Sequence, residues 1–598
     1  MSTQQYTVNQ PTINTLLSWI DSNEVAIPEI QRPFVWNKVQ VRNLIDSLYR
    51  GYPVGYLIAW KNPDVRLRDG TSSAGKRILI DGQQRITALM AAIRGREVMT
   101  KDYKPVRIKI AYNLITGQFE VLNSAIVRNS AWIPDISTQF SADYSFMSTV
   151  REYMQRNPDA DENAVAKSLE RLNHIIYNQI GLIELNHDLD IETVTEIFIR
   201  VNSSGTTLGQ ADFAMSKIAV NETYNGPALR KAIDYFCHLA VTPSAFSTIE
   251  ANDRAFATTP YFAKMAWLKN ETDDLYDPDY SDMLRVAFTS EFRRGKLEDL
   301  VALLSGRNFE TRQNEEEIIE ATFARLSEGI SRFMNESSFK NLVLILKSAG
   351  FVHPSLITSK NAINFAYVIY QTLKKQGVPP AEIERAVRRW FVMSVLTQRY
   401  SGSSETIFDD DVRQIDSQGF QDYEFSITAS QLSDAFWEFT LPQRLDTSAN
   451  SSSAFRVFQA AQVKLGDRGF LSKDYSTRDL VTIKSDVHHI FPADYLKKHG
   501  MDKTQYNQVA NFVIAQSEIN IQISNKPPEK YFAQMLEQVN GGQRSYGNID
   551  TWDDLQRNLE MNCIPEGIFS MTVDDYPDFL RIRRQLMAAR IRRYFELL

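Results

Sequence analysis

A short stretch around two adjacent histidines, His488 and His489, constrains the fold more than any other part of the chain. Residues 480–483 favour a strand, and Pro492 prevents that strand from continuing far beyond the pair. Side chains alternate along a strand, so the two imidazoles can do two different tasks. The apolar run after Asn511 predicts a second strand or a turn that leads into a helix. We therefore expect two short β segments and a helix to converge on one point.

The same stretch resembles the HNH endonucleases, which have the ββα-metal fold, in the variant with a His-His-Ile-Phe-Pro core and a final Asn. The resemblance implies that His488 is a metal ligand and that His489 is the general base. It also implies that Asn511 braces the loop and that Asn520 is the second metal ligand. Many HNH proteins have Asp at the position of His488. The alternative is a chance histidine pair at a strand end, with turn-forming asparagines.

The donor atoms of this stretch point to a particular kind of metal. Hydrolysis of a phosphodiester requires a base for water and a cation that neutralises charge on the phosphate oxygens. A histidine with an ordinary pKa of about 6.5 suits the first task near neutral pH. One imidazole and one amide oxygen, from His488 and Asn520, leave most coordination positions to water and phosphate. This set favours Mg²⁺ or Mn²⁺ over Zn²⁺.

A second informative segment is RILIDGQQRITALMAA, residues 77–92. RILI predicts a buried strand, the Asp-Gly pair ends it, and helical spacing follows. A helix N-terminus after a glycine turn presents unpaired N–H groups and the positive end of the helix dipole, which suits an anion. The alternative is a strained structural turn with a structural arginine. The residues that we expect to bind a phosphate, a base or the accompanying cation are Asp81, Gly82, Gln83, Gln84 and Arg85.

The Asp-Gly-Gln-Gln-Arg motif and an upstream Ile-Pro-x-x-Gln-Arg segment, which ends in Gln31 and Arg32, resemble the DUF262 family with its ParB-like fold. The loop at Asn202 and Ser203 resembles a later motif of the same family, and its small residues let backbone amides approach a ligand. The resemblance implies a domain that binds and hydrolyses nucleoside triphosphates and senses DNA. Nothing in the sequence resembles a Walker A loop.

Composition excludes several classes of protein. The chain has 598 residues, of which 43% are hydrophobic and 23% are charged, and this composition predicts several globular domains. The net charge of −7 excludes a surface that is positively charged throughout. Two cysteines support neither a disulfide framework nor a thiolate zinc site. The sequence has no long apolar run and no signal-peptide pattern at its start. We expect a cytoplasmic chain without a membrane-spanning segment.

The most basic segment is the C-terminal RIRRQLMAARIRRYF, a predicted helix. Because the chain is acidic as a whole, any affinity for nucleic acid must come from such local patches. Two interpretations remain open with equal weight: the helix contacts DNA, or it docks on an acidic protein surface. Its arginines are Arg581, Arg583, Arg584, Arg590, Arg592 and Arg593.

The predicted fold class is a multidomain α+β protein. We expect a ParB-like α/β domain at residues 1–214, a helical spacer at 215–444 and a ββα-metal (HNH) domain at 445–598. The polar composition of residues 401–453 is typical of a linker. The predicted helices of the spacer include residues 260–268, 297–304, 315–334, 342–348, 361–373 and 381–396.

A chain with a DUF262-like N-terminal domain and a DUF1524-like HNH C-terminal domain is similar to the GmrSD type IV restriction proteins. That resemblance implies a nuclease that cuts double-stranded, modified phage DNA. It also implies that the N-terminal domain binds a nucleoside triphosphate and that the C-terminal domain binds Mg²⁺. Two copies of the chain could also form a homodimer. The alternatives are a ParB-like DNA-binding regulator or nucleotidase without significant nuclease activity, and a nuclease that acts on RNA.

Overall fold

The computed structural model describes residues 5–22, 24–26, 36–61, 77–99, 105–186, 189, 193, 197, 210–313, 315–483 and 487–598. The chain divides into two compact units, Met1–Val220 and Asn221–Leu598. The fold is α+β and mostly helical, with small sheets. The predicted boundary between residues 444 and 445 lies inside the second unit and stays a prediction.

The strands of the described residues lie mostly in the first unit. They are β1 (Tyr6–Asn9), β2 (Val25–Ala26), β3 (Tyr56–Lys61), β4 (Arg77–Asp81), β5 (Val98–Met99), β6 (Pro105–Val106), β7 (Ile110–Asn113), β8 (Phe119–Val121), β9 (Trp132–Ile133) and β10 (Gly181–Leu185), followed in the second unit by β11 (Val487–His489) and β12 (Phe512–Ile514). The largest sheet has the order β1-β10-β3-β4-β2. Strand β10 is parallel to β3 and antiparallel to β1, so the chain returns to the N-terminal sheet.

The helices of the first unit bury apolar residues at helical spacing. The helix Lys38–Tyr49 begins at a capping box between Asn37 and Gln40, and it buries Val41, Leu44, Ile45 and Leu48. The antiparallel pair β7 and β8 forms a hairpin around residues 116–117. The α-helices of this unit are Ile13–Asp21, Lys38–Tyr49, Gln83–Ala92, Ser124–Val127, Phe146–Arg156, Glu162–Asn173 and Gln210–Val220.

The second unit consists mainly of helices, and each helix predicted for its first part is present within a few residues. From the start of the unit to residue 397 the α-helices are Gly226–Val241, Phe246–Asn252, Arg254–Ala257, Pro260–Lys264, Tyr280–Phe292, Leu297–Leu304, Glu316–Phe333, Glu336–Ser348, Lys360–Lys375 and Pro380–Thr397. Beyond it they are Ser404–Gln418, Phe420–Gln431, Leu441–Arg444, Ser453–Leu465, Thr477–Thr482, Ala493–Lys498, Lys503–Tyr506, Ser517–Ile523, Pro528–Val539, Trp552–Met561 and Tyr576–Glu596.

Two predictions of local structure are wrong. Residues 401–453 are mostly helical instead of linker-like, because Phe408, Val412 and Ile415 repeat at helical spacing and are buried. Residues 480–482 belong to a helix and not to a strand. A capping box at Ser476 starts that helix, and this local signal outweighs the strand propensity of the apolar residues after it. None of the described helices is both long enough and apolar enough to cross a membrane.

Candidate active site

The histidine stretch contains two short strands and a helix in the predicted order, and their assembly into a ββα-metal domain stays a prediction. Strand β11 pairs antiparallel with β12, and His488 lies opposite Val513 while His489 lies opposite Phe512. After β12 the chain enters the helix Ser517–Ile523, which we call the site helix. Asn520 lies on this helix. Two paired strands are thus followed along the chain by a helix. We call the segment 487–492 the histidine turn.

His489 is half-buried among aromatic side chains. Its ring centroid lies 5.1 Å from that of Phe512, with the two rings nearly perpendicular, and 6.1 Å from that of Tyr506. The Nε2 atom lies 2.9 Å from the amide oxygen of Asn507. Burial lowers the pKa of His489, the hydrogen bond with Asn507 opposes that shift, and the charge of Lys497 adds to it. The imidazole is therefore neutral at neutral pH, as a base for water must be.

Asn511 is fully buried and fixes the backbone that follows His489. Its side-chain oxygen accepts a hydrogen bond of 2.8 Å from the Phe491 N–H, and its amide nitrogen donates to the carbonyls of Phe491 and Tyr506 at 3.0 and 3.1 Å. Its own carbonyl accepts from the Ile490 N–H at 2.9 Å. These contacts hold the histidine turn in one conformation, which is what a bracing residue has to do.

Three further side chains contact the backbone of the histidine turn or of the segment that leads to Asn511, and the sequence does not predict these contacts. The Tyr531 hydroxyl donates to the Ile490 carbonyl at 3.0 Å. The Tyr576 hydroxyl donates to the Gln505 carbonyl at 3.1 Å, and the buried Arg583 donates to the Ala510 carbonyl at 2.7 Å. The sequence signal for these contacts is that a tyrosine or an arginine stands at a position where the helical pattern predicts burial. A buried polar group requires a hydrogen-bond partner, but the pattern does not say which one.

The two residues expected to hold a metal, His488 and Asn520, lie on β11 and on the site helix. Strand alternation directs His488 and His489 to opposite faces of β11. The donor chemistry of an imidazole and an amide oxygen is of the kind that hard divalent ions accept. In the described part of the chain, no three His, Cys, Asp or Glu side chains form a metal-binding group. His499, the remaining histidine of the stretch, is exposed and lies 2.9 Å from the Tyr495 carbonyl.

In the first unit, residues 81–85 form the predicted strand, glycine and helix, which we call the glycine turn. Asp81 is the last residue of β4, and the helix Gln83–Ala92 follows Gly82 directly. Gly82 has a φ of 92°, and a Cβ there would collide with the side chain of Leu57. A glycine is therefore required by both conformation and packing.

The two charged side chains of the glycine turn contact the protein itself. Arg85 donates to the backbone carbonyls of Tyr56 at 2.6 Å and Val54 at 3.4 Å, and it lies 3.4 Å from a carboxylate oxygen of Asp81. These contacts favour a structural arginine over one that is free to bind phosphate. Gln84 also has an interaction partner. The other predicted nucleotide-binding residues, Gln31, Arg32, Asn202 and Ser203, lie outside the described residues.

Comparison with known proteins identifies the first unit more clearly than the second. Residues 13–219 match the family model of the N-terminal domain of GmrSD restriction endonuclease. The match ends within the last helix of the first unit. The chain is also 22% identical over 558 residues to the uncharacterized protein MJ0686 of Methanocaldococcus jannaschii, which is 86% of this chain and 85% of that protein. An alignment of that length includes both units, so the similarity is not confined to the N-terminal domain.

The contacts of the C-terminal helix (Tyr576–Glu596) favour docking of its arginines on protein over contact with DNA. Arg583 is fully buried and contacts backbone carbonyls. Arg584 pairs with Asp446 at 2.6 Å, Arg590 pairs with the buried Asp467, and Arg592 pairs with Asp434 at 2.8 Å. These partners precede the histidine turn in sequence. The helix thus ties several segments of the second unit together.

Proposed function

We propose that this chain is a metal-dependent DNA endonuclease of anti-phage defence that cuts modified double-stranded DNA under the control of a nucleotide bound in the first unit. The observation that carries the hydrolytic part is the half-buried His489, which ends strand β11 and has its Nε2 atom 2.9 Å from the amide oxygen of Asn507. The match of residues 13–219 to a restriction endonuclease domain supports the role in defence against foreign DNA.

In this proposal each residue of the histidine turn has one task. His489 takes a proton from the attacking water, since its neutral ring is a base of suitable strength. Asn511 keeps the turn after His489 in place through its contacts with Phe491. His488 and Asn520 would hold the divalent ion, which supplies positive charge to the phosphate when it is bound.

The glycine turn would bind the phosphates of the nucleotide at the start of the helix Gln83–Ala92. The N–H groups of the first helical turn and the helix dipole favour an anion at that position. Because Arg85 supports backbone carbonyls, we assign the direct contact to these N–H groups and the cation to Asp81. Asp81→Ala should weaken nucleotide binding, measured by calorimetry, and should also change DNA cleavage.

The decisive experiment is incubation of the purified chain with modified and unmodified phage DNA, with and without Mg²⁺ and nucleoside triphosphates. We expect cleavage of modified DNA that requires Mg²⁺ or Mn²⁺ and stops in EDTA, because two protein ligands hold an ion weakly. Robust cutting in chelator would refute the metal assignment. Nucleotide hydrolysis without any cleavage would favour the alternative of a nucleotidase or DNA-binding regulator.

A further inference from the structure

The partner of the proposed base is a residue to which neither the sequence motifs nor the comparisons assign a role. Asn507 follows the short helix Lys503–Tyr506, which a capping box starts at Asp502, and the Asn507 N–H donates to the Lys503 carbonyl at 3.1 Å. Its side-chain oxygen then lies 2.9 Å from Nε2 of His489. The short helix therefore fixes the point from which the amide contacts the imidazole.

The chemistry of that contact determines where the imidazole carries its proton. An amide oxygen only accepts hydrogen bonds, so a neutral ring that faces it has its proton on Nε2 and a lone pair on Nδ1. Resting on the proposed role of His489 as the base, we infer that Asn507 is a positioning residue that selects the Nε2–H tautomer. Nδ1 is then the atom that accepts the proton of the attacking water.

This assignment gives a balanced hydrolytic step. The water proton moves to Nδ1 of His489, and the water oxygen forms a new bond to phosphorus. The bond from phosphorus to the leaving oxygen breaks, and the leaving oxygen takes a proton from solvent. The imidazolium that forms keeps its Nε2–H directed at the Asn507 oxygen, so a fixed dipole stabilises the developing charge without placing a full negative charge beside it.

The other groups near the ring do not select the tautomer. Phe512 and Tyr506 offer ring contacts, and Lys497 is a cation that opposes protonation of His489. Lys497 itself is paired with Asp494 at 2.9 Å and lies over the Tyr506 ring. Asn507 is thus the neighbour whose hydrogen bond favours the protonated ring, in opposition to burial and to Lys497.

The tautomer can be measured directly in the full-length protein. With ¹⁵N-labelled histidine, the nitrogen shifts and two-bond couplings identify the protonated ring nitrogen, and a His489→Gln variant assigns the signal. We expect Nε2–H in the wild type at pH 7.5 and a mixture of both tautomers in Asn507→Ala. A proton on Nδ1 in the wild type, or an unchanged tautomer in Asn507→Ala, overturns the inference. Absence of DNA cleavage in the wild type removes the proposed nuclease function, but the tautomer measurement still decides the role of Asn507.

The rate of DNA cleavage supplies a second test. Asn507→Ala should lower kcat by about 10- to 100-fold with little change in KM, as loss of an orienting hydrogen bond typically does. Asn507→Asp keeps an oxygen acceptor, so it should retain the Nε2–H tautomer that Asn507→Ala loses. A matched control is Asn540→Ala, since the exposed Asn540 side chain donates to the Leu536 carbonyl of the helix that it follows. An unchanged kcat in Asn507→Ala overturns the inference.

Discussion

The glycine turn and the histidine turn are both polar turns that carry a family motif, but they use their polar side chains differently. In the glycine turn Arg85 donates to the Tyr56 carbonyl of β3 and contacts Asp81. In the histidine turn the backbone is held by Asn511 and by side chains from distant helices, and His489 is not needed for that support. The comparison indicates that a polar side chain such as His489 is available for catalysis when other side chains support the backbone of its turn.

The largest effect should come from His489→Ala. Loss of a general base typically costs about 10²- to 10⁴-fold in rate. We expect this loss in kcat for DNA cleavage, with unchanged thermal unfolding because the turn keeps its contacts through Asn511. The matched control is His499→Ala, an exposed histidine of the same segment, which should cut at nearly the wild-type rate. Equal losses in both variants would show that the histidine turn does not contain the base.

Arg583→Ala tests whether the histidine turn really depends on distant support. The guanidinium is fully buried, burial lowers its pKa to about 10, and it donates to the carbonyls of Ala510 and Asn562. Removing it leaves a cavity and two unsatisfied acceptors, so the free energy of unfolding should fall by about 2–5 kcal/mol. Calorimetric or denaturant unfolding measures this.

The control is Arg593→Ala on the same C-terminal helix. Arg593 is exposed, and surface substitutions are usually within about 0.5 kcal/mol of neutral. If both variants unfold alike, the C-terminal helix does not brace the site. A fall in cleavage rate for Arg583→Ala at temperatures where it remains folded would extend the role of the helix from stability to positioning.

The sequence was sufficient wherever one local signal dominated. Helical spacing predicted Leu297–Leu304 with its observed bounds. It was not sufficient where two local signals competed, as at residues 480–483, where a capping box outweighed strand propensity. It also could not give the partners of Arg583, because contacts between segments that are far apart in sequence leave no periodic pattern.

A smaller effect is expected for Arg85→Ala in the glycine turn. The substitution deprives the carbonyls of Tyr56 and Val54 of a donor, which should cost about 1–3 kcal/mol in the stability of the first unit. Arg85 is partly exposed, so water can replace some of the lost contact, and the loss should be smaller than for Arg583. Arg50→Ala, which removes an exposed pair with Asp46, is the control. Weaker nucleotide binding with unchanged unfolding would instead make Arg85 a ligand-binding residue.

The smallest predicted effect concerns the residue after the site helix. Ser524 has a φ of 51° and a ψ of −124°, a conformation that costs a residue with a side chain about 1–3 kcal/mol, whereas the glycine turn has a glycine at its positive φ. Glycine removes that strain but loses more entropy on folding, about 0.5–1 kcal/mol, so Ser524→Gly should stabilise the second unit by about 1 kcal/mol in denaturant unfolding. Ser517→Gly, at the helical start of the same site helix, should destabilise it slightly, because glycine is a poor helix former. If both variants lose stability alike, Ser524 is not strained. If Ser524→Gly is more stable and cuts DNA more slowly, the strain is part of how the site helix positions Asn520.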